Sequence, residues 1–183
     1  MTIHLMYEEM ALPAGAFPFS VGTYRMERAP VPARQPTEAA PPLAPRDVPD
    51  TWRDQVGDAL CFHLHRFFEI SYVASGKALY IVHNRCVEVS EGDFILFNGN
   101  VPHAWIPDRD NPAVQKVMVF YPSLLLFRYL TDASSGYLAS LFGATFSFFV
   151  CDRAHPMNRE LADLLLQAER EYVGRATGYE IMI

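Results

Sequence analysis

The sequence contains few cysteines and does not arrange them in pairs. Its 183 residues include three, Cys61, Cys86 and Cys151, and no CxxC motif occurs. An odd number of widely spaced cysteines does not build the disulfide framework of small secreted domains. We therefore expect all three to be reduced and buried.

Positive charge is also scarce. Lys and Arg total 15 against 21 Asp and Glu, the net charge is −6, and no basic cluster is present. A protein that binds a nucleic-acid backbone needs such a cluster, so the composition argues against direct DNA contact by this chain. Residues 1–10 lack the basic start and apolar stretch of a secretory signal. We expect a cytoplasmic location.

No uncharged run is apolar enough to cross a membrane. The longest covers residues 133–151 and contains four serines, two glycines and one threonine. A spanning helix needs about 20 predominantly apolar residues, which this run does not supply. A short helix followed by a strand is expected here, and no membrane partner is expected.

Proline is concentrated in one stretch. Seven of the 14 prolines fall within residues 29–49, where regular backbone hydrogen bonding is difficult. We interpret residues 28–50 as a flexible loop inside a single domain, after one or two early strands at residues 17–26. A linker between two units is the less favoured alternative, because too little chain precedes it to fold alone.

Short strand-like runs dominate the middle of the chain. They occur at about residues 62–74, 77–82, 86–90, 93–98, 103–107 and 114–121, with turn residues between them. This regular spacing of short strands and turns predicts an all-β sandwich or barrel. No βαβ alternation, phosphate-binding glycine loop or G-x-S-x-G motif is present.

After Pro122 the spacing becomes helical, first near residues 124–130 and then over residues 158–172. The second segment places five apolar or aromatic residues on one face: Leu161, Leu164, Leu165, Ala168 and Tyr172. That face packs either on the barrel or on a second subunit. Thr177 and Glu180 form a capping-box pattern, which predicts a helix that continues beyond Ile183 in the natural protein. A true terminus with a short apolar tail is the alternative.

Three potential metal ligands lie within seven residues: His63, His65 and Glu69. If this segment is one strand, alternation places positions 63, 65, 67 and 69 on one face. His103 can join them from a neighbouring strand. Three imidazoles and a carboxylate suit zinc, nickel, iron, manganese or copper rather than calcium or magnesium. The alternatives are a metal-free pocket for an organic ligand and ordinary core histidines.

Residues 57–107 resemble the cupin superfamily. The first cupin motif, G-x5-H-x-H-x3-E-x6-G, is matched in full from Gly57 to Gly76. The second, G-x5-P-x-G-x2-H-x3-N, is matched at Gly92 and His103 but differs at three positions, Asn98, Asn100 and Pro107. Asn tolerates positive φ, so Asn100 is a mild replacement for Gly. The resemblance implies a mainly β fold, a double-stranded β-helix or jelly-roll barrel followed by C-terminal α-helices.

Within the cupins, residues 63–105 resemble the N-terminal sensing domain of AraC/XylS-type transcription regulators. That resemblance implies a small-molecule effector in the barrel, a homodimer formed through helices, and DNA contact only through a separate domain beyond Ile183. We expect a barrel over residues 1–122 and a helical dimerisation segment over residues 123–183. The cofactor implied is a divalent transition metal, namely Zn, Ni, Fe or Mn.

The expected effector pocket is lined by residues on the inward parity of the strands: Phe67, Tyr80, Trp105, Met118 and Phe120. Such aromatic residues also fill ordinary barrel cores. A free-standing metal-dependent enzyme, of dioxygenase or sugar isomerase type, is the rival hypothesis. It needs an acid or base near the metal, for which Tyr72, Tyr80 and Glu88 are the candidates. A purely structural barrel is a third interpretation.

Overall fold

The computed structural model describes residues 2–7, 17–26, 48–56, 59–124 and 147–183. Four sequence predictions lie outside these ranges, wholly or in large part: Gly57 of the first motif, the proline-rich loop, the helix near residues 124–130, and the short helix expected within residues 133–151. The described residues form ten strands, one short 3₁₀ helix and two α-helices.

The predicted strand-like runs and the helical spacing recur in the structure, but the run at residues 62–74 is divided into two strands, and β1 and the 3₁₀ helix were not predicted. The strands are β1 (Thr2–Tyr7), β2 (Phe19–Arg25), β3 (Ala59–Leu64), β4 (Phe68–Ser75), β5 (Lys77–Val82), β6 (Arg85–Ser90), β7 (Phe94–Phe97), β8 (His103–Pro107), β9 (Val114–Phe120) and β10 (Phe148–Cys151). The 3₁₀ helix is Asp50–Trp52, and the α-helices are α1 (Asn158–Gly174) and α2 (Tyr179–Met182). None of the described helices has the length and apolar character that a membrane crossing requires.

Two five-stranded sheets form the barrel. Sheet A has the order β1-β3-β8-β5-β6 and sheet B the order β10-β7-β4-β9-β2. All strand pairs are antiparallel except β1 and β3, which run parallel. Because β10 pairs with β7, sheet B takes in residues from well beyond position 122. The barrel boundary expected at residue 122 is therefore too early.

A buried cluster joins the inner faces of the two sheets. Sheet A contributes Tyr80, Val82 and Val89, and sheet B contributes Val73, Ile95 and Phe97. These residues alternate with outward-facing ones along each strand, as a pleated sheet with two covered faces requires. All six side chains are β-branched or aromatic, and side chains of these types pack well on a pleated sheet. The prediction of a mainly β cupin barrel with C-terminal helices is confirmed.

Gly76 makes the tight turn between β4 and β5. Its φ is +79°, and a Cβ atom at this position would lie 2.5 Å from the carbonyl oxygen of Pro112. Only glycine accepts both the positive φ and the close approach without strain. The last glycine of the first motif is therefore a requirement of the fold rather than part of the site.

The outer face of each sheet has its own cover. Residues 48–56 close sheet A, where Trp52 packs over Leu60, Phe62, Leu79 and Ile81. Helix α1 closes sheet B, where Leu165 packs with Phe94 and Cys151. The barrel thus lies between two covering layers.

The helix predicted over residues 158–172 is present as α1, but the expected cap of α2 is not. Gly178, with φ of +84°, stands at the N-cap of α2, and no side chain caps it. Thr177 lies one residue too early to act as the cap. The capping-box prediction for Thr177 and Glu180 is therefore wrong, because the positive φ of Gly178 starts the helix instead.

Candidate metal centre

His63 and His103 lie side by side on neighbouring strands of sheet A. His63 lies on β3 and His103 on β8, and the two residues are direct partners in the strand register. Their ring centroids are 4.0 Å apart. Trp105, two residues further along β8, points its ring edge-on at His63 with the centroids at 4.8 Å. Residues on alternate positions of β8 thus share the inner face.

His65 lies on the connection that leads from sheet A to sheet B. Strand β3 ends at Leu64 and β4 begins at Phe68, so His65 and Phe67 belong to neither strand. The ring of His65 stacks on that of Phe67, with centroids 3.8 Å apart and an interplanar angle of 5°. Glu69 follows on β4 in sheet B.

The structure corrects the prediction that residues 63–69 form one strand. The chain crosses between the sheets at residues 65–67, so the alternation of a single strand does not align the three side chains. Instead, His63 reaches the site from sheet A, Glu69 from sheet B, and His65 from the crossing between them. The four potential ligands nevertheless converge, and their donor atoms all lie within 4.8 Å of one another.

The turn at residues 98–100 holds the crossing in place. The amide of Asn100 donates a hydrogen bond to the carbonyl oxygen of His65 at 2.6 Å. A Cβ atom on Gly99 would lie 2.8 Å from the carbonyl oxygen of Arg66, so glycine is required for this close approach. Asn100 has a φ of +62°, which confirms that it serves where the motif has glycine.

Two of the imidazoles are oriented by backbone carbonyls. Nδ1 of His65 lies 2.9 Å from the carbonyl oxygen of Phe67, and Nδ1 of His103 lies 2.8 Å from that of Val101. A carbonyl oxygen only accepts hydrogen bonds, so each Nδ1 carries a hydrogen. In a neutral ring the other nitrogen, Nε2, is then a bare acceptor.

Both Nε2 atoms face the Glu69 carboxylate. The distance to its Oε2 is 3.1 Å from His65 and 3.8 Å from His103. Among the described buried side-chain atoms, only Nε2 of His103 lacks a hydrogen-bond partner. Acceptors that face one another in a buried site require a proton or a metal cation between them, since an unsatisfied buried group is costly.

Burial and the neighbouring imidazoles set the charges of the cluster. Burial alone would raise the pKa of Glu69, but its interactions with His103, His65 and His63 hold that pKa well below the usual value. Burial, together with the neighbouring His103, lowers the pKa of His63 to about 3. The site therefore presents an ionised carboxylate and a neutral His63, which are the protonation states that bind metal.

A second layer of polar groups adjoins Glu69 inside the barrel. The hydroxyl of Ser71 donates to Oε1 of Glu69 at 2.8 Å, and the hydroxyl of Tyr80 donates to Oε1 of Gln115 at 2.7 Å. Burial raises the pKa of Tyr80, so its hydroxyl stays protonated. Sequence reasoning missed Ser71 and Gln115. The strand parity shared by Glu69 and Ser71 was the available signal for the first.

Three of the five predicted pocket residues lie at the barrel interior. Phe67 and Trp105 contact histidines of the cluster, and Tyr80 belongs to the interior core. Met118 and Phe120 do not face inward. Lys116, on the same parity of β9, pairs with Glu169 of α1 at 2.6 Å, which places this face outside the barrel.

The placement of Met118 and Phe120 inside the barrel is therefore corrected. Met118 packs with the cluster under α1, and Phe120 stacks on Phe68 with centroids 5.5 Å apart. The register places Val117 and Val119 opposite Ser71 and Glu69, on the inner face. The prediction misjudged the parity of β9, which the sequence alone does not fix because both faces of this strand are covered.

Comparison with known proteins decides the family. The family model for the AraC-like ligand binding domain matches residues 57–178. The chain belongs to this family. The resemblance to AraC-type regulators is thereby confirmed, and the barrel is an effector-sensing domain of the AraC type. No curated protein matches the sequence significantly.

Structure comparison matches this chain to regulators and to an enzyme. A structure of ToxT from Vibrio cholerae is 15% identical over 81% of this chain and 47% of its own, with a TM-score of 0.46. The AraC-like transcriptional activator CuxR is 15% identical over 64% of this chain and 38% of its own, with a TM-score of 0.42. A mutant form of salicylate 1,2-dioxygenase from Pseudoaminobacter salicylatoxidans is 20% identical over 52% of this chain and 23% of its own, with a TM-score of 0.30. The AraC-type domain described here spans about half the length of the ToxT chain.

Proposed function

We propose that this AraC-type domain senses a small-molecule effector at a divalent transition metal held by His63, His65, Glu69 and His103. The observation that carries the proposal is that the Nε2 atoms of His65 and His103 are both turned toward one oxygen of Glu69. A divalent cation at their meeting point satisfies all three acceptors. Three imidazole nitrogens and one carboxylate oxygen match zinc, nickel, iron or manganese.

When bound, the metal would supply an open coordination position for an oxygen or nitrogen atom of the effector. The chain itself supplies the surroundings of that position. Phe67 and Trp105 offer aromatic surface beside the histidines, and Ser71, Tyr80 and Gln115 form the polar wall next to Glu69. A few placed polar groups in an otherwise apolar pocket are typical of small-molecule sites.

Sensing is favoured over catalysis because none of the three candidate acids and bases suits the role. Tyr72 lies on the outer face of sheet B against Phe94, with ring centroids 4.6 Å apart. Glu88 lies on the outer face of sheet A, where it accepts a hydrogen bond from Nε1 of Trp52 at 2.8 Å. Tyr80 faces inward, but burial raises its pKa, which makes it a poor base.

The exposed apolar side chains of the C-terminal helices support the proposal of a homodimer. In α1, Val173 is 72% exposed, and in α2, Ile181 is 75% exposed. Apolar side chains of this size on helices that end a barrel domain are suited to a symmetric interface. Transcription control, DNA contact through a separate domain and a cytoplasmic location belong to the same proposal and rest on family membership.

Co²⁺ is the probe that tests the metal centre. We expect visible absorption bands to appear as Co²⁺ is added to the metal-free chain, and azide to shift them by entering the open position. The bands should be lost in His65→Ala, which removes a ligand, and retained in His155→Ala, which changes an exposed histidine.

Two results would contradict the proposal. If the unmodified chain shows no visible absorption bands with Co²⁺, the site does not bind a metal of this kind. If azide leaves the bands unchanged, the metal is coordinatively closed and an effector does not bind to it. A substrate consumed by the metal-loaded chain but not by His63→Ala would establish the enzyme alternative instead.

A further inference from the structure

A cavity lies outside the barrel, between α1 and the outer face of sheet B. Its volume is about 390 Å³. Ile70 and Met118 form part of its floor, Leu161, Leu165 and Ala168 line it from the helix, and Ile183 borders it. Small-molecule sites have volumes of about 300–1,000 Å³, so this cavity falls within the range.

The described residues that line the cavity are apolar, and none of them carries a charged side chain. Of these thirteen, only Gln167 and Cys151 bear a polar side-chain group. Burial raises the pKa of the Cys151 thiol, which keeps it uncharged. An apolar cavity offers water few hydrogen-bond partners and favours an apolar guest. An anionic guest would find no cation among the described lining residues.

Polar anchors hold α1 at both ends of the cavity. At the start of the helix, Nδ2 of Asn158 donates to the carbonyl oxygens of Gly92 at 2.9 Å and Asp152 at 3.0 Å. Further along, Glu169 pairs with Lys116 of β9 at 2.6 Å. About 16 Å of helix lies between the anchors, since each residue adds about 1.5 Å.

The helix residues that line the cavity all lie between these two anchors, at positions 161, 164, 165, 167 and 168. Between the anchors, Leu165 packs on Phe94 and Cys151 of sheet B, and the cavity adjoins this contact. A guest molecule can fill the cavity without moving either anchor.

We propose that this cavity binds one uncharged apolar small molecule, at a site separate from the metal centre in the barrel. We assign a small molecule because the volume and the apolar lining suit one, and the test below separates it from a second copy of the chain laid over the opening. The guest would brace α1 against β4 and β9. The proposal does not depend on metal binding.

The test is a fluorescence titration of the whole chain with N-phenyl-1-naphthylamine, a neutral apolar dye that brightens in apolar surroundings. We expect saturable brightening that is weakened at least tenfold in Ala168→Phe, which fills the cavity. Ala176→Phe is the matched control, because Ala176 is exposed beyond the end of α1 and should leave the affinity unchanged. Phe67→Ala, in the barrel, should also leave it unchanged.

A second pair of variants keeps the test valid if Ala168→Phe misfolds. Leu164 lies at the rim and is 55% exposed, whereas Val173 on the same helix is 72% exposed and does not line the cavity. Leu164→Gln should weaken the dye several-fold and Val173→Gln should not. The proposal is overturned if the dye does not brighten, if Phe67→Ala abolishes its binding, or if sedimentation shows that dimer formation displaces it.

Discussion

The two sheets of the barrel are covered on their outer faces in different ways. On sheet A, residues 48–56 seal the face so tightly that Phe62, Leu79 and Ile81 have no exposed surface. On sheet B, α1 fully buries few of the side chains beneath it and leaves a cavity of about 390 Å³. One cover is part of the core, and the other packs on its sheet through fewer fully buried side chains, chiefly Leu165.

The metal centre and the cavity share one strand of sheet B. Strand β4 of sheet B carries Glu69 toward the metal centre and Ile70, the next residue, toward the cavity under α1. Sheet A has no comparable loosely covered strand among the described residues. Adjacent positions of a single strand therefore line the barrel site and the cavity under α1.

The largest effect on stability is expected from truncating Trp52, which covers the outer face of sheet A. Trp52→Ala should lower the free energy of unfolding by about 3–5 kcal/mol, the usual loss for a fully buried large side chain. Urea denaturation measures it. Leu165→Ala, under α1, should lower it by about 2–3 kcal/mol, because the site already adjoins a cavity. If both variants lose the same free energy of unfolding, the two sheets are covered equally tightly, which would contradict the difference described above.

An intermediate effect is expected at the first anchor of α1. Asn158→Ala removes hydrogen bonds to Gly92 and Asp152 and should cost about 1–3 kcal/mol, since their carbonyls lose a buried donor. Amide hydrogen exchange should speed up in the first turns of α1 and not in β3 or β8. Exchange that rises equally in both regions would show that the helix is not a separately opening unit.

Glu169→Gln weakens the second anchor and should cost less, about 1 kcal/mol, because the pair with Lys116 is about one-fifth exposed on each side. High salt should reduce the cost further. Urea denaturation at low and high salt measures both effects. A cost above that of Asn158→Ala would reverse the order of the two anchors.

The smallest effect is a gain. Ala168→Leu adds methylene groups to the cavity and should raise the free energy of unfolding by about 1 kcal/mol, since each buried methylene contributes about 0.8 kcal/mol and the fit is imperfect. Ala176→Leu, on the exposed turn, should change it little. A clear loss in Ala168→Leu measured by urea denaturation would mean that the space under α1 is not available for filling.

The sequence predicted the barrel and the members of the candidate site but not how they meet. Strand positions followed from alternation and turn residues, and α1 from its apolar spacing. The crossing at residues 65–67 was missed because His63, His65, Phe67 and Glu69 keep the parity of a single strand. Only the pairing of β3 with β8 and of β4 with β7 and β9 separates them into two sheets.

Long-range contacts account for what sequence reasoning missed. The parity of β9 depends on which face packs against α1, and nothing local to Met118 or Phe120 reveals it. Asn158 looked like an ordinary helix start, yet its side chain is buried and bonds to a turn 66 positions away. Such contacts are decided by the tertiary structure.

The most direct test of the account is the metal content of the chain purified without added metal or chelator, measured by inductively coupled plasma mass spectrometry. We predict about one divalent transition metal ion per chain, falling to less than about one-tenth in His65→Ala and unchanged in His155→Ala, because only the first variant loses a ligand. A metal-free wild-type chain, or the same content in His65→Ala, would contradict the claim that His63, His65, Glu69 and His103 form a metal centre.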